Sequence, residues 1–504
     1  DFSRDPVPGL ISSGNRGTDD MPMATPSRSD RGGSSICAIV SVMIANISTI
    51  VFGMALGFTS PAIDVMQNTF KVNGKSASVP EYLVVFTGQS EGSLFSSIVN
   101  FGALTGALLG GPLSQRIGRK GALLLQAPVY AIVWTATSFA RSFGLLMVAR
   151  FFLGVGIGMC STVVPTYINE VSPTALRGAL GAVFQLACVL GIAICYLLGA
   201  YVLVVENDNG DRLCQWRWLA LTPVALSVLL FSFGLFIPES PRWLAWKNNP
   251  DAARKALARL RGGAEHIGAE LEELHATVHQ ATGKVSCHDL TASHRAVLIG
   301  LMLMFIQQFS GVNAVIFFQD TIFMAAGLKD AAGLGFMVMV LQVLMTAISI
   351  PLMDTAGRKL LLLTAASGML LCCLGLAAFF KFATNQGWLA LVSSFGYIAF
   401  FSVGLGPVPW LMMGEVFPGK IRSSASSLAA GFNWTCSFIT TETVSLLEGQ
   451  VGYSGVFCIY GAFLLSGFIF VFFLVPETKG RSFAEIEALL APPRRDVPLI
   501  PMDA

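Results

Sequence analysis

The chain has 504 residues, of which 54% are hydrophobic and 12% charged, with a formal net charge of +2. A soluble domain carries roughly 25% charged residues, so lipid must supply much of the solvent, and a mean hydropathy of +0.66 agrees. So small a net charge, with no basic block interleaved with aromatics, argues against nucleic acid as a partner. The cysteines lie mostly inside apolar runs, as at Cys160, Cys188, Cys195, Cys372, Cys373, Cys436 and Cys458, without metal-type spacing, so no disulfide framework or metal site is implied.

Residues 1–35 are rich in Ser, Gly, Pro, Asp and Arg and lack an apolar signal core, which predicts a disordered tail. A membrane crossing needs roughly 20 apolar residues. Measured that way, 36–247 holds six spans, at 36–58, 92–114, 121–140, 144–168, 178–204 and 217–237. A polar segment, 248–295, follows with helical runs DAARKALARLRG and AELEELHATVHQ, read either as a solvated linker or as a brace for a gate. Six more spans fill 296–475, at 296–318, 332–353, 359–382, 388–413, 423–446 and 454–475, and 476–504 forms a short tail. Small-residue stripes such as Gly102, Gly106 and Gly110, or Gly154, Gly156 and Gly158, let helices approach closely within lipid.

Three marks recur in the same order in both halves. GRK at Gly118 returns at Gly357, EVSPTALR at Glu170 returns as EVFPGKIR at Glu415, and PES at Pro238 returns as PET at Pro476. One unit has therefore been used twice, the parallel-repeat design of many transporters. The fold class predicted is an all-α membrane protein with twelve transmembrane helices in two homologous six-helix bundles. If every span crosses, both GRK loops, the middle segment and both termini share one side, and its excess of Lys and Arg places that side in the cytosol.

Nothing in the sequence assembles an enzyme. His266, His275, His279, His288 and His294 sit in or beside the middle segment, and the pair at His275 and His279 lacks a Cys or carboxylate to complete a metal site. The informative polar groups are those inside the membrane, where an unpaired amide is costly. Gln185, Gln307, Gln308, Asn313, Gln342 and Asn433 supply uncharged amides from several helices, which suits a neutral polyhydroxylated ligand. Trp410, after the breaker-rich GLGPVPW, offers a flat face to a pyranose, and Trp434 adjoins Asn433. The competing reading is amide glue between helices, but a Gly/Pro-broken helix beside the set favours a cavity. Arg119, Glu170, Arg177, Glu239, Arg242, Arg358, Glu415, Arg422 and Glu477 gather at cytosolic span ends in both halves. Pairs among them are expected to join the halves when the cytosolic side closes, with simple helix anchoring as the alternative. Arg150 is expected to snorkel to that surface or to join the network.

From Cys37 to about Leu489 the chain resembles the sugar porter family of the major facilitator superfamily. The resemblance rests on GRK, ARFFLGVGIG, PESPRWL, QQFSGVNA, GPVPW and PETKGRS in combination, and is most similar to class III facilitative hexose transporters and related plant sugar facilitators. It implies the major facilitator fold, no cofactor, and hexose contacts at Gln185, Gln307, Gln308, Asn313, Gln342, Trp410, Asn433 and Trp434. It also implies a carrier that works in the bilayer as a monomer, in the plasma membrane or an endolysosomal membrane. The chain departs from the pattern in places. Ala55 stands where proton-coupled relatives carry an acid near Arg150, Ser402 where some glucose carriers have Glu, and Gln342 where some have Asn. Gln115 and Thr355 alter the GRK motifs, and Glu442 is the remaining acid within a span, read as a vestibule residue. The reading is facilitated diffusion of a hexose by alternating access, with a proton-coupled sugar or polyol symporter and a non-transporting sugar sensor as rivals. DVPLI at Asp496 is one residue short of an acidic dileucine signal, and a plain disordered tail is the alternative.

Overall fold

A computed structural model describes residues 35–68, 89–173, 176–206, 212–263, 287–317, 331–382, 386–418, 421–481 and 483–490, with isolated positions between 267 and 327. His266, His275, His279, the tail before residue 35 and the stretch at Asp496 lie outside the described residues.

In the first half the spans are Ile36–Gly57, continued by Thr59–Asn68, then Gln89–Ile117, Arg119–Ser138, Phe143–Val171, Arg177–Leu197 and Trp216–Gly234. The second half has His294–Phe309 with Val312–Phe317, Ala331–Ala356, Arg358–Phe382, Gly387–Val403 with Val408–Val416, and a continuous run, Arg422–Leu474. That run has 53 residues. As one helix it would be about 80 Å long, against a hydrocarbon layer of about 30 Å. The non-helical Gly452 (φ 68°, ψ 172°) divides it into the eleventh and twelfth spans.

Eleven described segments are long and apolar enough to cross a membrane. The eleventh span, predicted at 423–446, is helical but more polar, because its buried Asn433, Ser437, Thr440 and Thr441 face protein and not lipid. Lipid instead meets an outer belt of exposed apolar side chains that includes Leu108, Ile132, Phe236, Leu371 and Phe473. The all-α class holds, with one short addition. Val204–Glu206 and Arg212–Cys214 pair as two antiparallel strands after the fifth span, with Val204 opposite Cys214. Each is too short for period-2 patterning to reveal.

Close packing follows the glycine stripes. A Cβ at Gly102 or Gly106 would strike the backbone carbonyl of Phe151 or Val155, and one at Gly154 or Gly158 that of Val99 or Ala103, so the second and fourth spans touch backbone to backbone. Across the halves, the second span packs on the eleventh and the fifth on the eighth. These two pairings exchange under the internal repeat, since the second and fifth spans correspond to the eighth and eleventh.

Candidate functional site

The seventh span breaks between Phe309 and Val312, and the break positions the amides. Gly311 adopts φ +90°, which L side chains rarely reach, and an added Cβ would meet the Tyr460 ring. The Ser310 carbonyl, turned out by the break, accepts a hydrogen bond from Tyr397 Oη at 2.8 Å. Gly311→Ala is therefore expected to disrupt this segment through both strain and collision, abolishing transport and lowering the thermal midpoint of the purified protein. Wild-type uptake in that variant would contradict the geometry.

Around the break, amides from the seventh and eleventh spans close a continuous network. Asn433 Nδ2 donates to Gln307 Oε1 at 2.8 Å, Gln308 Nε2 to Asn433 Oδ1 at 3.0 Å, and Asn313 Nδ2 to Gln308 Oε1 at 2.8 Å and Ser437 Oγ at 2.7 Å. The tenth span is broken too, between Val403 and Val408, and its freed carbonyls at Leu405 and Gly406 accept from Gln307 Nε2 at 2.8 and 2.9 Å. Buried amides so connected hold one arrangement, with donors and acceptors in fixed places. Ser437, one helical turn beyond Asn433, was missed by sequence reasoning, although its i+4 spacing placed it on the same face.

The remaining predicted contacts surround this network less tightly. Trp434 is buried and reaches across the halves, donating from Nε1 to Ser161 Oγ at 3.3 Å and lying edge-on to Phe52 at 5.8 Å. Trp410 is half-buried at the start of the tenth span's second segment. Gln342 is buried on the eighth span with Oε1 unpaired. Gln185, on the fifth span, is half-buried and makes no hydrogen bond among the described residues. On the same seam between the halves, Asn100 Nδ2 donates to Thr441 Oγ1 at 3.2 Å and Ser97 Oγ donates to the half-buried Glu442 carboxylate.

The charged end carries two matching networks. In the first half Arg119 Nη2 donates to Glu170 Oε1 at 3.0 Å, with Nε 2.9 Å from Oε2. Glu239 accepts from the backbone N–H groups of Arg119 and Lys120 at 2.9 and 3.0 Å. In the second half Arg358 Nη2 donates to Glu415 Oε1 at 2.9 Å. Glu477 there accepts from the backbone of Arg358 and Lys359, each at 3.0 Å. Each carboxylate thus caps a helix N-terminus, where the helix dipole favours negative charge. Gly118 and Gly357 sit at φ +89° and +91° with the capping carboxylates against them, so the repeated glycine makes room for the repeated acid. Burial pushes the Glu477 carboxyl up, but the N–H groups of Lys479, Arg358, Lys359 and Thr478 outweigh it and hold it below its ordinary range.

Two expectations about these charges change. The ion pairs found among Arg119, Glu170, Arg358 and Glu415 lie within one half and do not bridge the two, because each Arg begins a helix whose neighbours in its own bundle end at the matching acids. Arg177 and Arg242 are exposed without partners among the described residues, and the Arg422 side chain lies outside them. Arg150 belongs to neither network. It sits twenty residues before Glu170 in one helix, about 30 Å away along its axis, and is fully buried. Its guanidinium donates to Ala55 O at 3.2 Å, to Thr59 Oγ1 at 2.7 Å and to Phe95 O at 3.4 Å, and it stacks 4.4 Å over the Phe95 ring. Among the described residues no carboxylate pairs with it.

Two bundles of repeated helices, two broken helices in the second bundle, and a neutral amide network joining their breaks define a membrane transporter of the major facilitator fold. Residues 40–490 match the family model "Sugar (and other) transporter", and the chain belongs to that family. It is 35% identical over 461 residues to "Facilitated trehalose transporter Tret1" of Polypedilum vanderplanki, covering 89% of this chain and 87% of that one. It is also 35% identical over 470 residues to "Sugar transporter ERD6-like 6" of Arabidopsis thaliana, covering 90% and 91%. Among solved structures, the proton:xylose symporter XylE bound to 6-bromo-6-deoxy-D-glucose superposes with a TM-score of 0.76 at 26% identity, covering 90% of this chain and 99% of that one. The protein is a multi-pass membrane sugar transporter and not an enzyme.

Proposed function

We infer that the protein carries a hexose down its gradient by alternating access, with no ion coupled to the cycle. The sugar binds against Gln307, Gln308, Asn313, Asn433 and Ser437 of the second half, with Gln185 approaching from the first half, Gln342 and Trp434 beside them, and Trp410 under the ring. Neutral donors and acceptors match neutral hydroxyls without the desolvation cost of a charge. The halves then rock about the bound sugar, and the networks of Arg119 and Arg358 keep each bundle rigid at its cytosolic end while the exposed Arg177 and Arg242 stay available to meet the opposite bundle.

The observation that carries the uncoupled reading is the surroundings of Arg150. A coupled carrier needs a group whose protonation differs between its two states, because a ligand shifts an equilibrium only through differential affinity. Here the guanidinium is satisfied by the Ala55 carbonyl, the Thr59 hydroxyl and the Phe95 carbonyl. None of these gains or loses a proton at physiological pH. The word "facilitated" in the name of the insect relative agrees with this, and the sugar seated in the XylE structure is a halogenated hexose. In proteoliposomes preloaded with unlabelled D-glucose, labelled D-glucose should enter by saturable counterflow and labelled L-glucose should not. Equal entry of both, or entry of neither in folded protein, would remove the hexose assignment.

A further inference from the structure

We propose that an anionic phospholipid docks on the first bundle at its charged end, with its phosphate held by Lys120, Lys255 and Arg259 and its acyl chains against the exposed end of the sixth span. Two of these cations converge on one helix end. Lys120 Nζ donates to the Leu235 carbonyl at 2.7 Å and Arg259 Nη2 to the Phe236 carbonyl at 2.7 Å. The two carbonyls belong to consecutive residues just past Trp216–Gly234. An ammonium has three donors and a guanidinium five, and among the described residues each side chain makes only the one hydrogen bond. Most of their donors are open. Glu239 does not pair with them, since its carboxylate accepts from the backbone N–H groups of Arg119, Lys120 and Ser240. Lys255 stands one turn before Arg259 on the helix Pro250–Arg261, exposed like it and on the same face. The other face buries Ala253, Ala256, Leu257 and Leu260, and the helix packs on Ile36–Gly57, so the cations are carried by a fixed part of the first bundle.

The internal repeat shows that capping the helix end does not require this many charges. In the second half Lys359, the counterpart of Lys120, donates from Nζ to the Phe472 carbonyl at 2.7 Å, and among the described residues no second cation joins it there. The helix that follows in that half, Phe483–Leu490, carries Glu485 and Glu487 instead of a basic strip. Arg259 and Lys255 are therefore additional to the repeated design, and their open donors suit the oxygens of a phosphate. The surroundings make that phosphate a lipid's. Leu235 and Phe236, beside the cations, are 51% and 69% exposed and continue the apolar belt. Trp246 nearby in the chain is exposed too, with Lys247 Nζ 5.2 Å from its ring centroid, and indoles collect at the level of the headgroups. A free phosphate would use the cations and leave the apolar wall uncovered. An anionic phospholipid covers both, and basic residues near the membrane surface attract it.

The test is native mass spectrometry of the purified full-length protein in detergent, offered phosphatidylglycerol and phosphatidylcholine with the same acyl chains in equal amounts. The wild type should retain phosphatidylglycerol in preference. Each surface cation strengthens anionic-lipid binding roughly fivefold, so Lys255→Gln and Arg259→Gln should each lower phosphatidylglycerol affinity by about that factor and their combination by roughly twenty-five-fold. Arg254→Gln, exposed on the same helix but off the strip, should change it by less than about twofold. Gln at 259 keeps a donor for the Phe236 carbonyl and Lys255 has no hydrogen bond to lose, so thermal midpoints in phosphatidylcholine should match the wild type. If Arg259→Gln lowers that midpoint, Lys255→Gln alone decides. Equal retention of the two lipids by the wild type would overturn the proposal, as would an Arg254→Gln loss equal to that of Lys255→Gln, which would mean diffuse charge without a site. Release of the bound lipid by excess inorganic phosphate or by glycerophosphoglycerol, which has the headgroup without acyl chains, would show a free-anion site and also overturn it.

Discussion

Asn313→Ala is expected to weaken sugar binding roughly ten- to a hundredfold in a protein that remains folded. A lost ligand hydrogen bond in a buried site costs about 1–3 kcal/mol, and each 1.4 kcal/mol is about a tenfold change in affinity. Asn313 suits this test because it stands at the edge of the network, 8% exposed where Asn433 is 1%. Gln308, its partner, keeps a second bond to Asn433 when Asn313 is removed. Gln307→Ala should behave differently. It would leave the carbonyls of Leu405 and Gly406 open in the break of the tenth span and deprive Asn433 of an acceptor, so affinity and thermal midpoint should fall together. Isothermal titration and thermal unfolding on the two variants separate the effects. Wild-type affinity in folded Asn313→Ala would take that residue out of the site.

A second large effect is expected at the charged end, where Arg119→Ala removes the cation paired with Glu170, whose side chain is only 8% exposed and keeps the Ser240 hydroxyl but no positive charge against it. Breaking a largely buried pair by removing one partner costs about 3–5 kcal/mol, so this variant should be strongly destabilised and slow. Because the pairs lie within the halves, a double-mutant cycle between Arg119→Ala and Glu170→Gln should give a coupling of about 0.5–3 kcal/mol. The cycle between Arg119→Ala and Glu415→Gln should give almost none. Coupling of equal size across the halves would restore the bridging role that the sequence suggested.

The difference between legible and illegible features follows from what a one-dimensional pattern can record. Span ends such as Arg119, Arg177, Arg358 and Arg422 were readable to within a few residues because hydropathy changes where the chain leaves lipid. The amides at Gln307, Gln308, Asn313 and Asn433 stood out because polar groups are rare inside spans, and the structure brings all four into one network. Partner choice was not readable. Repetition placed Glu170 and Glu415 at equivalent positions, but whether each would meet the Arg of its own bundle or of the other depends on helix packing angles that no spacing encodes. Arg150 was assigned to the wrong end because its helix runs in the opposite direction from the one before it, so its start and its charged terminus lie on different sides. The eleventh span was found by its length, and its polarity reflects the seam it lines. Ser437 and Ser97 were overlooked because serine in a span is common, and only the placement of Asn313 and Glu442 opposite them gives it meaning.

The central claim, that sugar moves by its own gradient alone, is tested most directly by the steady-state level of labelled hexose in proteoliposomes under an imposed inward proton gradient. With Arg150 held by a carbonyl of the first span and not by a carboxylate, the internal concentration should rise to the external one and stop there, with or without protonophore. Accumulation above that level, collapsed by protonophore and lost in Glu442→Gln, would contradict the account and make Glu442 the coupling residue.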